Sequence, residues 1–128
     1  MSTKATILTV EDDAGIQKIY QQILDAEDYL VIQADNGKEA LEILSVCIPD
    51  LIILDWCMPQ MNGQQFLSAL IHQRKIGICP ILVCTANPDY SLFALDMGAT
   101  EFMSKPFELQ DFIDIVESLL ARRLASCA

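Results

Sequence analysis

Five mostly apolar runs alternate with five stretches of helical periodicity, and that alternation leaves few folds open. The runs cover residues 5–10, 30–34, 51–54 and 81–84, with a weaker one at 101–103. Strands this short and aliphatic are expected where a sheet is buried on both faces. After the first run, Ile16, Ile19, Tyr20, Ile23 and Leu24 keep the spacing of one helix face. Lys38 to Cys47 repeats the pattern with Ala40, Leu41 and Leu44, and Phe66, Leu67, Leu70 and Ile71 repeat it after the third run. A fourth helix starts at Asn87-Pro88-Asp89 and stops at Gly98. The fifth runs from Glu108 to about residue 124, with Leu109, Phe112, Ile113, Val116 and Leu120 inward and a short tail after it. Helices between aliphatic strands predict right-handed crossovers and an α/β fold with a doubly wound, five-stranded parallel sheet. The 128 residues fit one domain spanning 1–128, with no linker or low-complexity tract inside it.

The runs matter for what closes them. Asp55 follows Leu51-Ile52-Ile53-Leu54, at the end of a buried strand, which is a costly place for a charge. The first run ends in Glu11-Asp12-Asp13, the fourth in Thr85, and the fifth leads to Lys105-Pro106. In an open parallel sheet, ligands collect outside the carboxyl ends of the strands, where the strand order reverses. The common flavodoxin-like (βα)5 order, 2-1-3-4-5, makes the first and third strands neighbours there. Glu11, Asp12, Asp55, Thr85 and Lys105 then share one rim. Asp13 is read as the N-cap of the first helix.

Clustered carboxylates repel unless a cation joins them, and magnesium prefers oxygen donors in an octahedral shell that keeps several waters. Asp12 and Asp55 can ligate it directly and Glu11 through water, with the Cys57 backbone carbonyl as a further donor. An Asp55 oxygen can then attack an incoming phosphorus in line. Lys105 offers a positive charge to the phosphoryl oxygens and Thr85 a hydroxyl hydrogen bond.

Composition narrows the class. The chain is 52% apolar and carries a formal charge of −10, so disorder is excluded and the surface repels nucleic-acid backbones and anionic lipid. No apolar run approaches a membrane span and no signal-peptide pattern opens the chain, which points to the cytoplasm. The five cysteines, Cys47, Cys57, Cys79, Cys84 and Cys127, lack C-x-x-C spacing and are read as reduced thiols. His72, the single histidine, sits among Gln73, Arg74 and Lys75 on a helix surface, away from the rim.

Val10-Glu11-Asp12-Asp13, Leu54-Asp55 with Met58-Pro59 and Asn62-Gly63, Thr85-Ala86, and Lys105-Pro106-Phe107 occur in order, each after its proper element. In this the chain resembles the receiver domains of two-component response regulators, including the single-domain chemotaxis regulators, over nearly its whole length. The resemblance implies that Asp55 accepts a phosphoryl group from the phosphohistidine of a histidine kinase or phosphotransfer protein. It implies magnesium held by Asp12, Asp55 and the Cys57 carbonyl with Glu11 nearby, and a cis bond between Lys105 and Pro106. It places Phe102 at the aromatic switch position, moving with Thr85, and places the output surface on the fourth helix, fifth strand and fifth helix. The downstream target stays open, as do the choices between monomer and phosphorylation-dependent dimer and between stand-alone regulator and part of a longer chain. Catalysis beyond self-phosphorylation and autodephosphorylation is not expected.

Rival readings fare worse. An aspartate-nucleophile phosphatase of the haloacid dehalogenase type needs a second Asp two residues after the first, where Cys57 stands. A flavodoxin-like electron carrier needs a phosphate loop where Glu11-Asp12-Asp13 would repel the flavin phosphate. A pseudo-receiver would lack reactive groups that are all present.

Overall fold

The structure, a computed structural model, describes residues 5–58 and 60–127, with side chains placed as far as Arg122. Pro59 and the Cys127 side chain lie outside that description. Strands β1 (Thr6–Val10), β2 (Leu30–Ala34), β3 (Leu51–Asp55), β4 (Ile81–Thr85) and β5 (Glu101–Ser104) form one parallel sheet in the order β2-β1-β3-β4-β5. The helices are α1 (Ala14–Ala26), α2 (Gly37–Leu44), α3 (Gly63–His72), α4 (Ser91–Asp96) and α5 (Leu109–Cys127). The expected fold and strand order are the observed ones.

Alternation along the strands divides the core in two. Leu8, Ile52, Leu54 and Val83 face α2, α3 and α4, packing on Ala40, Leu44, Phe66, Leu67, Leu70 and Ala94. Ile7, Leu51, Ile53, Leu82 and Cys84 face α1 and α5, packing on Tyr20, Leu24, Phe112 and Val116. On this second face Tyr20, Phe112 and Phe107 stack, with ring centroids 5.4 Å and 5.0 Å apart. Every residue of β3 is buried, which accounts for its unbroken aliphatic run.

Helix starts follow the caps read from the sequence. Asp13 accepts the Ile16 N–H, and Asn62 and Gln65 form a reciprocal capping box. Gly98 follows α4 with φ of 111°, a conformation that favours glycine. Several boundaries and faces differ from expectation. α2 ends at Leu44, short of Cys47, and α5 starts one residue later and continues to Cys127. The segment after Asn87 opens as a 3₁₀ turn, Pro88–Tyr90, because the Asn87 side chain accepts the Asp89 N–H. Ile19, Ile71 and Leu109 point outward. On α1 the inward slots are taken by Gln17, Tyr20 and Leu24, which rotates Ile19 toward solvent.

Candidate functional site

The register places the chemistry. Val10 pairs with Leu54, so Glu11 and Asp55 follow side by side at the ends of β1 and β3. Asp55 pairs with Cys84, so Thr85 comes one residue beyond it on β4. Thr85 in turn pairs with Ser104, and Lys105 follows, its backbone N–H donating to the Thr85 carbonyl at 2.9 Å. The bond between Lys105 and Pro106 is cis.

Glu11, Asp55 and Thr85 are buried while Asp12 is exposed at the mouth. Lys105 Nζ lies 2.7 Å from Glu11 Oε1 and 3.7 Å from Asp55 Oδ1. Together with Asp12, Ala86, Asn87 and Cys57 these residues line a cleft of about 430 Å³. Glu11, Asp12, Asp55, Thr85 and Lys105 thus share one rim, as their places at the strand ends predict. Phe102, half-buried on β5 opposite Val83, packs against the core on the α4 side, outside the cleft lining.

The charges do not balance. Burial pushes the Glu11 carboxyl up to about 7, against the pull of Lys105 and helped by the neighbouring Asp55 charge. Burial likewise raises Asp55, opposed by Lys105, by a hydrogen bond with Glu11 and by the Cys57 backbone N–H. Burial alone would lower Lys105, but its contact with Glu11 and the field of Asp55 outweigh that and raise it. One ammonium thus faces three acids. Carboxylate oxygens of Glu11, Asp12 and Asp55 all lie within 4.8 Å of one another. A compact set of hard oxygen donors with uncompensated negative charge fits a divalent cation such as magnesium.

Two residues near the site escaped the sequence reading. Trp56, directly after Asp55, is buried and packs on Tyr90 and edge-on against Phe93, at 5.9 Å and 6.1 Å. Gln17 is buried beneath the acidic loop, its amide hydrogen-bonded to backbone carbonyls there. An apolar residue next to a strand-end acid was a usable signal for Trp56. A glutamine amid isoleucines gave none for Gln17.

Comparison with known proteins agrees with this geometry. The model of a family described as "Response regulator receiver domain" matches residues 7–117. The chain is similar to response regulator Rre1 of Synechocystis sp., 34% identical over 129 residues that cover 98% of this chain and 56% of that protein. It is also similar to histidine kinase P4 of Formosa agariphila, 33% identical over 94% of this chain but 9% of the kinase. Among solved structures, chemotaxis protein CheY4 of Vibrio cholerae superposes with a TM-score of 0.81 at 30% identity, covering 90% of this chain and 98% of that one. The chain spans about half the length of most of the curated relatives it matches and much less of the kinase.

Proposed function

Because the chain belongs to the response regulator receiver domains, we propose that Asp55 is its phosphoacceptor and that Glu11, Asp12, Thr85 and Lys105 serve the transfer. The single observation that carries this reading is the convergence of all five side chains from three strand ends and the β5–α5 loop on one cleft.

The donor is the phosphohistidine of a sensor histidine kinase or phosphotransfer protein. An Asp55 carboxylate oxygen forms the new bond to phosphorus as the P–N bond breaks, and that electron pair returns to the imidazole ring. The product is an acyl phosphate on Asp55. Asp12, Asp55 and the Cys57 carbonyl, with Glu11 behind them, are the groups that would hold Mg²⁺. Bound there, the ion offsets the carboxylates and steadies the phosphoryl oxygens. Lys105 turns from Glu11 toward the phosphoryl group, and the Thr85 hydroxyl donates to it.

The transfer adds about −1.5 to −2 units of charge at the end of β3. Thr85 is drawn toward that charge, and Phe102 follows into the space that Thr85 vacates. The surface of α4, β5 and α5 changes shape and is read by a downstream protein, with the receiver monomeric or dimerising on phosphorylation. Water admitted past Cys57 and Asn87 hydrolyses the acyl phosphate and resets the switch. Catalysis is confined to this self-phosphorylation and autodephosphorylation. Residues 1–128 act as one receiver domain in a cytoplasmic setting, and its acidity turns it from nucleic acid. Among the described residues no helix is long and apolar enough to cross a membrane.

Incubation with Mg²⁺ and acetyl phosphate, followed by intact mass, tests the reading. One added phosphoryl group is expected, lost in Asp55→Asn and after chelation. Continuous phosphate release from varied esters, or uptake that survives Asp55→Asn, would overturn it.

A further inference from the structure

Gln17 is 5% exposed, on a helix whose other buried positions are apolar or aromatic. Its amide nitrogen donates to three backbone carbonyls: Thr9 O at 3.1 Å, Glu11 O at 3.1 Å and Ala34 O at 2.9 Å. Its amide oxygen accepts the Thr9 hydroxyl at 2.6 Å. Three carbonyls can be met only by the NH₂ end, so the orientation of the amide is fixed by chemistry. The two hydrogens are shared among three acceptors, and no donor capacity is left over.

The place of these carbonyls gives the contact its meaning. The β1–β2 pairing ends at Val10 and Ala34. One step beyond, the Glu11 N–H donates to the Ala34 carbonyl at 3.0 Å, and the Glu11 carbonyl turns to Gln17. Glu11 is therefore held at both ends, its backbone by Gln17 and its side chain by Lys105. The peptide plane fixed by the Glu11 carbonyl is the one from which Asp12 departs. Asp13 follows and caps α1, the helix that carries Gln17 one turn on. The loop bearing the acids is thus closed on itself through a single buried side chain.

We propose that Gln17 is a positioning residue for the acidic pair: its amide sets the Glu11–Asp12 peptide so that both carboxylates meet Asp55 at a spacing that suits a divalent cation. The inference rests on the receiver reading above, since it specifies what holds that reading's cation site. Outer groups that orient metal-binding side chains are typically worth about 10–100-fold in metal affinity. Gln17 acts through the backbone and touches neither phosphorus nor metal.

Trp56, the single tryptophan of the chain, adjoins Asp55, so its fluorescence is the signal followed in the titrations. Mg²⁺ titrations of the full chain compare the parent with Gln17→Met, which keeps length and loses all four hydrogen bonds. Gln17→Asn, shorter but still polar, serves if the methionine variant does not fold. Thr9→Val removes the contact to the amide oxygen, with the longer 3.5 Å contact of the same hydroxyl to the Ile32 carbonyl, and leaves the three amide N–H contacts in place. The half-saturating Mg²⁺ concentration is expected to rise about tenfold or more in Gln17→Met and less in Gln17→Asn. Thr9→Val should stay close to the parent. Phosphoryl uptake from acetyl phosphate should fall at low Mg²⁺ in Gln17→Met and return toward the parent rate at saturating Mg²⁺.

A folded Gln17 variant with parental Mg²⁺ affinity would overturn the proposal. So would a loss of uptake that saturating Mg²⁺ does not recover, since general loosening of the fold behaves that way. Failure of the receiver reading itself would show in the parent protein, as no uptake at any Mg²⁺ concentration.

Discussion

Gly63 opens α3 directly against the end of β3, and an alanine there has nowhere to put its methyl group. A Cβ at that position would lie 2.8 Å from Trp56 Cε3, 2.9 Å from Trp56 Cα and 3.1 Å from the Asp55 carbonyl oxygen. Two of the three are backbone atoms, and the Gly63 N–H also donates to the Trp56 carbonyl at 2.9 Å. Neither side can give without moving the end of β3. Overpacking of this kind costs about 1–3 kcal/mol, against a helix-propensity gain of at most about 1 kcal/mol. Even with the full propensity gain subtracted, a net loss of up to about 2 kcal/mol follows for Gly63→Ala.

Gly77→Ala is the control. Gly77 has φ of 88°, and its Cβ would meet nothing within 4 Å. Its cost of about 1–2 kcal/mol is backbone strain alone. Urea unfolding should therefore show similar losses in both variants. Uptake from acetyl phosphate should slow only in Gly63→Ala, because only that methyl group displaces Asp55. Parental stability and parental uptake in Gly63→Ala would refute the reasoning, as would equal slowing in the two variants.

Lys105→Met leaves Glu11 and Asp55 without their cation. A part-exposed ammonium is worth less than the about 3–5 kcal/mol of a fully buried pair, so a loss of about 1–3 kcal/mol is expected in urea unfolding at pH 8. Glu11, at about 7 in the folded chain against 4.5 ordinarily, lets the metal-free native state hold more protons than the unfolded one between those values. Its contribution to stability therefore falls as pH rises from 4.5 to 7 and is level above. The stability difference between parent and Glu11→Gln in chelator should fall from pH 5 to about 7 and level off by about pH 8, and a difference flat over that whole range would contradict it. Phe66→Ala should cost about 3–5 kcal/mol, being fully buried. Leu109→Ala, on the exposed face, should stay within about 0.5 kcal/mol by the same unfolding assay.

The strand ends were legible because two-sided burial makes a strand aliphatic throughout, so the first polar residue after it stands out. Asp55, Thr85 and the Glu11–Asp12 pair were visible for that reason, and the βα alternation supplied the order that joins them. Lys105 was weaker evidence until its neighbours were in place. What the residues alone did not show was side-chain partnership. Glu11 was read as a ligand through water, and nothing in the residues alone showed its burial or its pairing with Lys105. Ile19 fits the helix spacing as well as Gln17 does not, and hydropathy favours it for the interior. Gln17 instead supplies a donor to the Thr9, Glu11 and Ala34 carbonyls at the ends of β1 and β2, and carbonyl demand leaves no mark in periodicity.

A crystal structure with Mg²⁺ and beryllofluoride bears most directly on Asp55 as the acceptor. Beryllium is expected on an Asp55 oxygen, with Mg²⁺ on Asp12 and Asp55, Lys105 swung away from Glu11 to a fluoride, and the Thr85 hydroxyl turned inward to another. A fluoride complex seated on any other carboxylate, or Lys105 still clasping Glu11 beside a loaded Asp55, would contradict it.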